Sequence, residues 1–132
     1  MTTSNLLKLS VAGAFVVMCG CEQHVSFSED IQPILQASCI QCHDEEAEGE
    51  AVSGLSLKSY DDLLQGTQYG QVVVPGSAMS SALYLTVSGK TAPEIRMPPH
   101  HDVSFASGKG EALSAHQIEL IERWINEGAP NN

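Results

Sequence analysis

The pentapeptide Cys39-Ile40-Gln41-Cys42-His43 constrains this chain more than any other stretch. Two cysteines two residues apart, followed at once by histidine, form the attachment sequence for a c-type haem. The two thiols bond to the vinyl groups of the macrocycle, and the adjacent histidine reaches iron. A chain that carries this sequence must fold around a flat apolar body larger than any side chain. Aromatic residues make up only 5% of the 132, so the protein's own core is small and such a body would add much to it. The pair Cys39/Cys42 has three other readings: a disulfide, a thioredoxin-like dithiol, or half of a zinc site completed by His43 with His100 or His101. The dithiol reading lacks a β-α-β setting, and the zinc reading lacks a second C-x-x-C.

Covalent haem attachment takes place outside the bacterial inner membrane, so export bears directly on the motif. Lys8 is followed by an apolar run from Leu9 to Met18, the pattern of a secretory signal and too short for a comfortable span. Gly20-Cys21 closes the run in the manner of a lipobox. Residues 1–20 are therefore expected to be a lipoprotein-type signal, with Cys21 as the lipidation site and residues 21–26 as a tether. Ordinary signal cleavage nearby, giving a soluble product, is the alternative. There are 16 acidic against 6 basic residues, for a formal charge of -10. This excludes a basic nucleic-acid footprint and favours a basic protein surface as partner.

The remaining pattern is helical. Ser28 is a candidate N-cap for a helix through Ile31, Ile34 and Leu35, with Pro33 beginning or kinking it. Asp44–Glu50 reads as an acidic loop, either steering a basic partner or simply solvated. Leu55-Ser56-Leu57 alternates briefly. A short helix is expected at Tyr60–Leu64, capped by Ser59 and stopped by Gly66. Val72–Gly76 is extended into a turn, and a second short helix at Ser80–Val87 closes at Gly89. The last helix has the fullest signature. Ser114 and Gln117 make a capping box, Ile118, Leu120, Ile121, Trp124 and Ile125 make an apolar stripe, and Gly128 and Pro130 stop it.

A haem held by one histidine needs a second axial ligand or stays open to small molecules. Methionine is the ordinary choice in electron carriers. Met97, stiffened by Pro98 and Pro99, is favoured over Met79, which sits in a turn before a helix. His100 and His101 are the rivals. A packed loop methionine is the plain alternative for Met97. His116 and His24 read as solvated.

In order along the chain stand Phe27, Pro33-Ile34-Leu35, Cys39–His43, Gly54-Leu55-Ser56-Leu57, Tyr60–Leu64, Val73-Val74-Pro75-Gly76, Arg96–Pro99 and Trp124–Ala129. In these the chain resembles the class I c-type cytochromes, and most closely the planctomycete-type cytochrome c domain. The resemblance covers about Phe27 to Ala129. It departs in the expanded acidic segment after His43 and in His100-His101 beside Met97. It implies a small all-α monohaem cytochrome c fold over 27–132, with one covalent haem c on Cys39 and Cys42. His43 is then the proximal ligand and Met97 the distal one. The expected function is electron transfer, without enzymatic activity, on the periplasmic side of a bacterial membrane and with redox protein partners. The alternatives are a haem peroxidase or gas sensor with a labile sixth ligand, and a non-haem metal-binding lipoprotein.

Overall fold

The computed structural model describes residues 23–99 and 110–132. Within them the chain is helical, without strands. Five short α-helices run α1 (Gln32–Ser38), α2 (Glu48–Ser53), α3 (Tyr60–Gln65), α4 (Ala82–Val87) and α5 (Ala115–Asn126). A π-helical turn, Phe27–Ile31, leads into α1. Short 3-10 turns lie at Ala78–Ser80 and Pro93–Ile95. The expected all-α class is what the structure has. None of these helices is long and apolar enough to cross a membrane.

The first turn differs from expectation in its cap. Ser26, not Ser28, accepts from the Glu29 amide at 3.2 Å. Ser28 instead donates its hydroxyl to the Asn132 carbonyl at 2.8 Å, and the Phe27 amide donates to the Asn132 side chain at 2.8 Å. These bonds engage Ser28 elsewhere, and the cap falls two residues earlier than the acidic run suggests. Pro33 sits in the first turn of α1, where its missing N–H costs no hydrogen bond. Val25 is buried and donates its amide to the Glu127 carboxylate at 2.8 Å. The packed body therefore includes Val25 and Ser26.

The core forms where these elements meet α5. Ser114 and Gln117 form the reciprocal capping box, satisfying two amides that the helix itself cannot. Ile121, Trp124 and Ile125 on the apolar stripe are fully buried. Phe27 and Trp124 lie with ring centroids 5.6 Å apart, and Tyr60 stands edge-on to both, at 5.1 and 6.4 Å. The Tyr60 hydroxyl donates to the Ala129 carbonyl at 2.7 Å, and the Trp124 indole to the Pro130 carbonyl at 2.9 Å. Every buried polar tip of the cluster thus has a partner. The cluster fixes the first turn, α3 and α5 to one another, leaving the faces of the middle helices to line a cavity.

Ser59 caps α3 by accepting from the Asp62 amide, and Gly66 at φ 81 ends it. The acidic stretch read as a loop through Glu50 turns helical at Glu48, where α2 (Glu48–Ser53) begins. Gly54 reverses the chain after it at φ 72, a conformation glycine adopts without steric cost.

Candidate functional site

The C-x-x-C-H segment is a coiled turn that leaves α1. Cys39 closes the helix with its amide on the Leu35 carbonyl at 2.9 Å. The amides of Cys42 and His43 both return to the Cys39 carbonyl at 3.1 Å. The turn sets Cys39, Cys42 and His43 on the wall of one cavity of about 500 Å³, a volume within the ordinary range of cofactor sites. Leu55, Leu57, Leu83 and Val87 supply an apolar lining, and Met97-Pro98-Pro99 supplies a further stretch of wall. Val52, Tyr69 and Ile95 border the same cavity, although 68%, 82% and 46% of their surfaces are exposed. Large apolar side chains left exposed beside a cavity are surface that a bound group would bury.

The two thiols are free, so no disulfide closes this turn. Burial pushes the Cys39 thiol up to about 11, with Cys42 adding to the shift. A dithiol oxidoreductase needs the opposite, a thiolate stabilised near neutral pH. Among the described residues no three His, Cys, Asp or Glu side chains are grouped to hold a metal ion.

His43 is oriented from below. Its Nδ1 lies 3.3 Å from the Leu55 carbonyl. A carbonyl can only accept, so Nδ1 carries the proton and Nε2 keeps its lone pair for a metal. Burial also lowers the pKa of His43, favouring the neutral ring that a ligand requires, and the Leu55 bond opposes this only in part. Gly49 packs directly beneath. A Cβ there would sit 2.5 Å from the Cys42 carbonyl oxygen and 3.0 Å from Cε1 of His43.

Met97 is held by its backbone, its amide donating to the Thr86 carbonyl at 3.3 Å. Gly110 donates to the Pro99 carbonyl at 2.7 Å, and a side chain at 110 would run into Pro98. The Met97–Pro99 segment is therefore clamped between α4 and the lead into α5. Met79 is 62% exposed and away from the cavity. His100, His101 and Cys21 lie outside the described residues, as does the signal segment. His116 is exposed at the start of α5. Gly49, Gly110 and the Leu55 carbonyl are the positions that reasoning from residue types missed. The one signal they left was a glycine inside an otherwise acidic run.

Two thiols, a neutral histidine with a free Nε2, a thioether and an apolar cavity form a donor set that fits a c-type haem. The comparison with protein families agrees, since residues 39–101 match the family described as Planctomycete cytochrome C. Over that stretch the chain is similar to planctomycete-type cytochrome c. The match spans the C-x-x-C-H turn, the cavity wall and the Met97 loop, and stops before α5. Among solved structures, a chain of Kuenenia stuttgartiensis hydrazine synthase is similar over 80% of this chain at 29% identity, with a TM-score of 0.48. The match covers 16% of that much longer chain. The comparison with curated proteins gave no match.

The segment that follows His43 is acidic. Lys58 answers part of that charge, reaching Glu45 at 2.9 Å and Asp44 at 3.6 Å. Hydrogen bonding to Glu45 raises its pKa, so it stays charged.

Proposed function

We propose that this protein is an exported electron carrier with a single haem and no enzymatic activity of its own. The haem is held through thioethers at Cys39 and Cys42, with His43 and Met97 as the axial ligands. The observation that supports this reading is the convergence of both thiols, the oriented His43 and the clamped Met97 segment on one apolar cavity. One-electron exchange between ferrous and ferric iron is the chemistry the haem supplies. The chain's own residues do the rest. Leu55 fixes the His43 tautomer, the backbone of Thr86 and Gly110 holds the Met97 loop, and Leu57, Leu83 and Val87 exclude water. Two side-chain ligands leave no open position for a small-molecule substrate, which separates a carrier from a peroxidase or gas sensor.

In the same reading the mature chain starts at a lipidated Cys21 on the periplasmic side of a bacterial membrane. It docks redox proteins that present a basic surface to the acidic residues near the cavity. Mass spectrometry of protein produced with a cytochrome c maturation system tests the reading. The expected result is the polypeptide plus one haem, mapped to the peptide containing Cys39 and Cys42, and a lipid on Cys21. Unmodified thiols at 39 and 42 would remove the haem assignment. A start downstream of residue 21 would remove the anchor alone.

A further inference from the structure

A single hydroxyl stands behind the histidine. Ser53, the last residue of α2, donates its hydroxyl to the Gly49 carbonyl one turn back. The same oxygen accepts from the Leu55 amide at 3.1 Å. Leu55 then presents its carbonyl to Nδ1 of His43 at 3.3 Å. The chain of contacts runs Gly49, Ser53, Leu55, His43, and all four residues line the cavity. Gly54 between them sits at φ 72, so the backbone reverses here and α2 cannot itself fix where the Leu55 carbonyl points. The Ser53 hydroxyl ties both sides of that reversal together.

We propose that Ser53 is a positioning residue for the proximal histidine. It sets the strength of the His43 Nδ1–H bond to Leu55 and, through it, the electron density at Nε2. The inference rests on His43 being the iron ligand. A firmer Nδ1–H bond makes the imidazole a stronger donor and favours ferric iron. Loosening it raises the reduction potential.

The test compares holoproteins of the parent, Ser53→Ala, Ser53→Thr and Ser59→Ala. Ser59 caps α3 and does not line the cavity, so its variant reports a stability loss alone. The readouts are the midpoint potential and the exchange rate of the His43 Nδ1 proton by NMR in the reduced state. Ser53→Ala is expected to raise the potential and speed exchange about tenfold, the scale of one lost hydrogen bond. Ser53→Thr keeps the hydroxyl and should restore both. Ser59→Ala should lower the melting temperature and move neither. The proposal is overturned if Ser53→Ala leaves both readouts unchanged, if Ser59→Ala moves them equally, or if threonine fails to rescue. A His43→Ala protein that keeps the parent's low-spin spectrum would remove the ligand reading, and this proposal with it.

Discussion

At the scale of the residue, Gly49 and Met97 make different demands. Gly49 is required by space, because a Cβ there would meet the Cys42 carbonyl oxygen and the His43 ring. Gly49→Ala must displace the Cys42 turn or the imidazole, at a cost of about 1–3 kcal/mol for overpacking. A lower melting temperature and a lower haem-to-protein ratio should accompany it; an alanine variant that matches the parent in both would show that the wall is not tight. Met97, as the proposed distal ligand, would be required by chemistry. Met97→Ala should convert the iron to high spin and lower its potential, since a thioether favours the ferrous state; magnetic circular dichroism and a redox titration read both, and an unchanged protein would take Met97 off the iron. Cys39, Cys42, His43 and Met97 could be singled out because their residue types declare their chemistry, and the structure brings all four to the wall of one cavity. Gly49 and Ser53 could not, because their value lies in how closely one backbone approaches another, and no residue type records that.

At the scale of the element, α5 was legible to within a residue, and the start of α1 was not. The capping box, stripe and stop signals of α5 are all local, and each agrees with the others. The cap before α1 depends on Asn132, more than a hundred residues away, which draws Ser28 out of the role its neighbours suggest. The acidic run hid a helix because its apolar residues show no periodicity; α2 exists to carry Gly49 and Ser53 under the histidine. Ser114→Ala should cost about 1 kcal/mol by removing the α5 cap, measurable by thermal unfolding. A pH effect belongs to the same helix. The Val25 amide, helped by His24 and Arg123, holds the Glu127 pKa below its ordinary 4.5. A lowered folded-state pKa means stability present above the unfolded value and lost as pH falls through the folded one. Glu127→Gln should therefore flatten the acid limb of the stability curve below about pH 4.5. An unchanged acid limb would mean that the lead segment is held by packing alone.

At the scale of the whole molecule, a small aromatic cluster holds the outer helices while the middle of the chain wraps a cavity with an exposed apolar mouth. The chain's formal charge is -10, and among the described residues Lys58 pairs with Asp44 and Glu45. Electron exchange with a basic partner should slow as ionic strength rises; a rate independent of salt would remove electrostatic docking from the account. The central claim, a carrier with both axial positions filled by side chains, is tested most directly by spectroelectrochemical titration of the matured protein in the visible and near infrared. The expected result is one reversible one-electron wave, low-spin bands in both states, the weak methionine-to-iron band when oxidised, and no response to carbon monoxide. A high-spin reduced protein that binds carbon monoxide, or a colourless protein when maturation works in a control, would contradict it.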